Sequence, residues 1–270
     1  MRPITGNTNR YAYPFLLSLR RDTFITLFGS LEEALGEHKG VDQDLAIDMS
    51  ELRTLQVRFD TSIARWELPL FRGAIVSLLS RDNTIYHNHE AGGLRYAYPL
   101  IQYRRIDGKA ALVCVGDGVD AVGDLLRAES LETMIGKRHV TLAIEHIDAD
   151  RHEVEMSDLP VVYQLSDWLP LNDKNYKLFE RERGLAARIL KLQQILTGNI
   201  LSMLKGVGIF VPSMLETEIL STTPMRSVKY KGVPLMTLDI QFAANVSLPD
   251  QIGLGRHASV GFGTLTRIRN

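Results

Sequence analysis

Two histidines, His87 and His89, flank Asn88. In an extended segment, residues two apart point to the same side. That spacing would bring both imidazoles to one phosphate. An RNA strand can be cut by its own 2′-hydroxyl, which attacks the adjacent phosphorus once a base has taken its proton and an acid protonates the leaving 5′-oxygen. Histidine suits both roles because it titrates near neutrality. Other readings of the pair stay open. Two histidines are half of a metal site, but Glu90 is the only further ligand type close by, and a site needs more. The pair also fits structural histidines in a turn. The ββα-metal nucleases share the letters His-Asn-His, but they need further ligands at set spacing, which the sequence lacks.

A second feature is the run Gly253-Leu254-Gly255-Arg256-His257-Ala258-Ser259-Val260-Gly261-Phe262-Gly263. It holds two Gly-hydrophobic-Gly pairs separated by five residues that include a base. Glycine lets a backbone approach a phosphate, and successive N–H groups can form an anion-binding concavity. A dinucleotide fingerprint needs a helix after the glycines and an acid about twenty residues on. Only seven residues follow Gly263, and no Gly-Lys-Ser/Thr of a Walker loop occurs. A glycine-rich hairpin at a sheet corner is the structural alternative.

The elements that must position these groups read as two repeats of one order. Leu55, Val57 and Phe59 alternate with polar residues and predict a strand. A helix is expected from Leu68 to near Ser80, a strand over Tyr96–Arg105, a hairpin turn at Asp107-Gly108 and a buried strand over Ala110–Val115. Val119–Arg127 reads as a helix, and His139–Glu145 and Val154–Met156 as strands. This is a β-α-β-β-α-β, ferredoxin-like order. The second half follows it loosely: a strand at Val161–Leu165, one long helix from Asp173 to about Lys205, then strands at Glu216–Leu220, Arg226–Tyr230, Leu235–Asn245 and Val260–Arg267, with a turn at Lys231-Gly232. Gly184 and Gly198 inside the long helix imply close packing or a break. The expected organisation is α+β: an N-terminal extension over 1–48, with a capped helix after Ser30, and two tandem ferredoxin-like (RRM-like) domains over 49–158 and 159–270.

Lys plus Arg is 31 and Asp plus Glu is 32, which excludes a uniformly basic nucleic-acid binder. The charge is uneven, however. Residues 61–110 carry seven basic residues and four acids, 221–270 carry six and two, and 111–160 carry four and eleven. Two basic blocks far apart in sequence would form one surface if the fold joins them. One cysteine, Cys114, allows no internal disulfide and no multi-cysteine zinc site, and it reads as an inert core thiol. No apolar stretch reaches membrane-spanning length, and the N-terminus lacks the order of a signal peptide. A soluble, cytoplasmic protein without membrane association is expected. His38, His139, His146 and His152 read as structural. Tyr98 and Tyr103 either pack or stack on bases.

The two Gly-hydrophobic-Gly pairs near the C-terminus of a double ferredoxin-like chain resemble the RAMP superfamily of CRISPR proteins. More narrowly they resemble the Cas-six endoribonucleases. Phe71-Arg72-Gly73-Ala74-Ile75, His87-Asn88-His89 and Tyr96 to Tyr103 look like the branch with a His-Asn-His segment in its N-terminal domain. Trp168 to Asn172 with Gly198-Asn199-Ile200-Leu201 is a third matching block. The resemblance spans about residues 55–270. It implies metal-independent cleavage of CRISPR precursor RNA within the repeat, leaving a 2′,3′-cyclic phosphate and a 5′-hydroxyl. It makes His87 and His89 the catalytic pair. It assigns RNA binding to Gly253, Gly255, Arg256, His257, Gly261 and Gly263, and Arg104 and Arg105 are placed to hold the backbone. No cofactor and no metal are expected. CRISPR repeat RNA is the implied partner, with CRISPR effector proteins beside it and the homodimers that the family forms. The alternative is a non-catalytic RNA-binding RAMP subunit of a CRISPR effector complex.

Overall fold

Strand β1, Ser50–Ser62, turns Leu55, Val57 and Phe59 inward, and all three are buried, as period-two alternation requires. The computed structural model of the protein describes residues 50–79, 98–127, 130–211 and 213–269, with the backbone of His89–Glu90 and Gly93–Leu94. The extension over 1–48, with the capped helix expected after Ser30, lies outside the described residues.

A 3-10 turn, Arg65–Glu67, leads into α1, Leu68–Ser77, with Pro69 in the first turn, where its missing N–H costs nothing. Two short strands, β2 (His89–Glu90) and β3 (Gly93–Leu94), pair with each other. Then come β4 (Ile101–Ile106), β5 (Lys109–Val115), α2 (Gly118–Leu126), the hairpin β6–β7 (Glu132–Ile135 and Arg138–Thr141) and β8 (Ile144–Val154). The antiparallel sheet order is β4-β5-β1-β8. Leu68, Phe71 and Ile75 of α1 and Val122 and Leu125 of α2 pack with Val57, Phe59, Leu112 and Cys114. Burial pushes the Cys114 thiol up to about 12, which leaves it unreactive.

The second half runs β9 (Met156–Trp168), α3 (Asp173–Arg181), α4 (Leu185–Gly206), β10 (Thr217–Thr222), β11 (Arg226–Tyr230), β12 (Val233–Val246) and β13 (Thr264–Arg267). Its order is β10-β12-β9-β13, with β11 also on β12. Leu192, Leu196, Ile200 and Met203 of α4 fill the core against this sheet. Where a ferredoxin-like unit carries its second helix, between β12 and β13, this chain has the glycine-rich segment and one 3-10 turn, Ala258–Val260. The architecture is therefore α+β with two ferredoxin-like sheets in tandem. β5 joins the halves. Leu112 and Cys114 enter the first core, while Val113 and Val115 enter the second, so the strand is apolar on both faces. Among the described residues no helix is long and apolar enough to cross a membrane.

Several expectations need correction. The strand expected over Val260–Arg267 is β13 from Thr264 only, because Val260 ends the 3-10 turn and Gly261 and Gly263 bend the backbone with positive φ. The long helix over 173–205 is two helices, because Gly184 at φ +92° forms the entry to α4. Gly198 has open space around it, so close packing is not its reason. The strand expected over 96–105 begins only at Ile101; Tyr96 and Ala97 lie outside the described residues. The strands at 139–145 and 154–156 are instead β7, β8 and the start of β9. β8 reads Ile-Glu-His-Ile-Asp-Ala-Asp-Arg-His-Glu-Val and is almost wholly exposed. As an edge strand it needs no apolar face, and charge on an edge is protective. It joins β1 through Glu51–Arg151 and Arg58–Glu145 ion pairs.

Candidate nucleic-acid interface

The acid-rich strand β8 is at one edge of the first sheet, and β4 is at the other. Against β4 lies the glycine-rich segment. Gln251 N–H donates to Leu265 O at 2.9 Å, Leu265 N–H to Ile252 O at 2.8 Å and Leu254 N–H to Gly263 O at 2.8 Å, so the segment closes on itself as a hairpin. The hydrophobic residue of each glycine pair is an anchor. Leu254 is buried in the second core and Phe262 in the first. The segment therefore straddles both halves.

The glycines answer to this packing. At Gly263, φ is +60° and a Cβ would sit 1.9 Å from Leu254 O, which no other residue tolerates. At Gly253, a Cβ would meet the Arg104 guanidinium at 2.5 Å and Ala258 O at 2.8 Å. Gly255 lies against Asn199 and Trp168, and Gly261 against Leu68. Trp168 Nε1 donates to Asn199 Oδ1 at 3.0 Å, so these two residues form the support beneath Gly255.

Arg104 was expected beside Arg105 at the surface, in contact with RNA. It is instead 2% exposed, because the glycine-rich segment covers the face of β4 that carries Gln102 and Arg104. Its Nε donates to Gln251 O at 3.0 Å and its Nη1 to Ala258 O at 2.7 Å and Tyr103 O at 3.2 Å; Nη2 donates to Gln102 Oε1. That same Gln102 oxygen accepts from Gly253 N–H at 2.8 Å, and Gln102 Nε2 donates to the Tyr98 hydroxyl at 2.8 Å. Burial lowers the Arg104 pKa to about 10 and raises that of Tyr98 to about 12, so both keep their usual protonation state at neutral pH. Tyr103 belongs to the first core, edge-on to Phe71.

The outer side of the segment is polar and aromatic. His257 adopts a left-handed conformation at φ +55° and lies 4.8 Å from the Tyr230 ring and 6.0 Å from Phe262. Arg65 sits over the Phe262 ring at 5.7 Å and Lys231 over the Tyr230 ring at 5.7 Å. Arg65 and Arg226 both pair with Asp167, and Arg226 also pairs with Asp239 at 2.8 Å. The two basic blocks of the sequence thus meet here. Exposed Arg256 donates to Leu171 O at 2.8 Å, and exposed Arg105 donates through Nε to Ile63 O at 2.7 Å. The structure brings Gly253, Gly255, Arg256, His257, Gly261, Gly263, Arg104 and Arg105 to one place. His87 lies outside the described residues. Of His89 only the backbone is described, paired with Leu94.

Burial, then the nearby Arg256 and Lys231 charges, hold His257 below the usual histidine range. Burial does the same for His152, whose Nε2 is 3.1 Å from Ser247 Oγ. Both titrate lower folded than unfolded, so the unfolded chain binds more protons below about pH 6.5. Their contribution is full above that pH and is lost as pH falls. Thermal midpoints measured from pH 7.5 to 5.5 are expected to decline, and His257→Asn, which tolerates the left-handed backbone, is expected to flatten the slope. An unchanged slope in that variant would remove His257 from the effect.

Sequence reasoning missed Arg65, Asp167, Gln102, Tyr230 and Phe262. Gln102 carried a signal: a polar residue between the apolar run Tyr98-Pro99-Leu100-Ile101 and Tyr103, whose side chain a buried strand must satisfy. Asp167 at φ +52° left no signal, because its strain and its two arginine partners are set by contacts distant in sequence.

Comparison with known proteins covers both halves. Residues 50–153 match the family model of the Cas6b N-terminal domain, and residues 155–268 match that of the Cas6b C-terminal domain. An uncharacterised protein of Methanocaldococcus jannaschii is 36% identical over 104 residues, spanning 38% of this chain and 69% of that protein. Among solved structures, a crystal structure of Cas6b is 25% identical with a TM-score of 0.74, covering 81% of this chain and 100% of that one. A crystal structure of the CRISPR RNA processing endoribonuclease Cas6b is 23% identical with a TM-score of 0.63, with the same coverage, and shows the shared fold. With consecutive matches over residues 50–153 and 155–268, the chain belongs to the Cas6b family.

Proposed function

We propose that this protein is an endoribonuclease that cleaves CRISPR precursor RNA within the repeat. Membership of the Cas6b family across both halves carries the reading, and a solved relative of the same fold is named a CRISPR RNA processing endoribonuclease. The geometry supports it. A glycine-rich segment carrying Arg256 and His257 is pinned across both halves, with exposed Arg105 on the neighbouring β4 and the acidic strand β8 at the far edge of the first sheet.

In this reading the 2′-hydroxyl attacks the adjacent phosphorus, the phosphorus–5′-oxygen bond breaks, and no metal or cofactor takes part. His87 and His89 supply the base and the acid, as the resemblance to the His-Asn-His branch implies. Each such role contributes roughly 10²- to 10⁴-fold. Arg105 and Arg256 bind phosphates, and fixed cationic charge stabilises the extra negative charge of the phosphorane. Gly253, Gly255, Gly261 and Gly263 give the segment its shape. Arg104 positions that segment rather than touching RNA.

The end groups of the products test the reaction. Incubation with repeat RNA from the host's own array is expected to give one cut, with a 2′,3′-cyclic phosphate upstream and a 5′-hydroxyl that polynucleotide kinase labels directly. A 5′-phosphate product would contradict the mechanism. Tight binding with no cut would support the RNA-holding subunit instead.

A further inference from the structure

The chain has two tryptophans, and their settings are opposite. Trp168 is fully buried, with its indole N–H on Asn199 Oδ1. Trp66 is 70% exposed, in the 3-10 turn ahead of α1. That turn is held firmly. Glu67 N–H donates to Ala64 O at 3.0 Å, and Ala64 N–H donates to Glu67 Oε2 at 2.7 Å. Arg105 Nε donates to Ile63 O at 2.7 Å, and Arg138 Nη2 donates to Ser62 O at 3.1 Å and to Glu67 Oε1 at 3.3 Å. Side chains from β4 and from the β6–β7 hairpin therefore fix a turn whose largest residue stays in water. A broad apolar group fixed in advance at the surface is preorganised for a ligand.

We infer that Trp66 stacks on one unpaired nucleobase of the RNA strand. The inference rests on the RNA-binding reading above and deepens it with a base contact. Three observations select the ligand. The surroundings are cationic: Arg65, Arg105, Lys137 and Arg138 are all exposed, while Glu67, the acid of the turn, is already bonded to Ala64 N–H and Arg138. Cations that follow a backbone beside an aromatic face that takes bases are the common make-up of single-strand sites. The turn also borders the glycine-rich segment, because Arg65, next to Trp66, lies over the Phe262 ring and pairs with Asp167. Finally, an indole is uncharged and has one N–H donor, so it suits the face of a base and not a phosphate. A base offers that face only where it is splayed out of a helix, which places the contact in a single-stranded part of the repeat.

Tryptophan emission gives the test. The probe is repeat RNA from the host's array, kept intact by one 2′-deoxy sugar before the scissile phosphate. Binding is expected to quench the wild-type emission and to shield it from acrylamide. Trp66→Phe leaves Trp168 as the sole emitter and is expected to show neither change. In filter binding, Trp66→Ala is expected to lose affinity about tenfold, the effect of one stacked base. Its log–log salt slope should match the wild type, since no phosphate contact is removed. Trp66→Phe keeps an aromatic face and should recover most of the affinity. In a series of RNAs with one abasic nucleotide each, the wild type is expected to lose about tenfold at one position where Trp66→Ala loses little more. Equal losses in both proteins at every position would overturn the inference, as would wild-type emission that RNA leaves unchanged. Wild-type affinity in Trp66→Ala would also overturn it and would leave the indole to a protein surface. Urea midpoints of both variants are expected to match the wild type, as the side chain is outside the core. Cleavage of all-ribose RNA by the wild type is read in parallel. Cleavage without coupling removes the stacking site and leaves the endoribonuclease reading, and coupling without cleavage does the reverse.

Discussion

Replacing His87 and His89 together with alanine is expected to lower the single-turnover cleavage rate of repeat RNA by about 10⁴-fold or more, since each proton-transfer role contributes roughly 10²- to 10⁴-fold. Residues that act as a unit are not additive, so either single variant is expected to lose most of what the double variant loses. Affinity for the RNA is expected to stay near the wild-type value, because phosphate contacts dominate it and the groups proposed to make them, Arg256 and Arg105, lie on the glycine-rich segment and β4. The wild-type rate should rise and fall with pH, and each single variant should lose one limb of that bell. Cleavage retained within about tenfold in the double variant would fall below the smallest effect of one proton-transfer group and remove the pair from the chemistry.

Arg104→Met is expected to cost about 3 kcal/mol of folding stability, because buried carbonyls left without a donor cost roughly 1–3 kcal/mol each. Gln251 O and Ala258 O would lose their Arg104 donors, and Gln102 Oε1 would keep only Gly253 N–H. Relief of the buried charge offsets part of the loss, and for that reason the figure lies below the sum. Lysine keeps the charge but presents a point donor in place of a fork, so Arg104→Lys is expected to recover less than half. Urea unfolding is the measurement, with the midpoint shifted and the slope unchanged. RNA affinity should fall with stability, since the displaced segment carries Arg256 and His257. A change within about 0.5 kcal/mol, ordinary for a surface site, would contradict the clamp.

What was legible in the sequence follows from locality. The alternation in β1 and the apolar run of β5 announce their burial directly. Asp107-Gly108 and Lys231-Gly232 name their turns, and all four residues have positive φ. The glycine spacing located the segment that joins both halves. Its physical cause was not legible, because Gly255 answers to Trp168 and Asn199, and Gly261 to Leu68. Arg104 was misplaced for the same reason. A strand beside Arg105 reads as half-solvated until residues about 150 positions later cover its second face. β8 was unreadable because an exposed edge strand has no apolar period. The two basic blocks meet at Asp167, which pairs with Arg65 of the first and Arg226 of the second.

The most direct test incubates the purified protein, in EDTA, with its repeat RNA and with the same RNA carrying a single 2′-deoxy sugar immediately 5′ of the scissile phosphate. The account predicts that the first is cut and the second survives intact while still binding. Cleavage of the deoxy RNA at the same bond, or no cleavage of either, would contradict attack by the RNA's own hydroxyl.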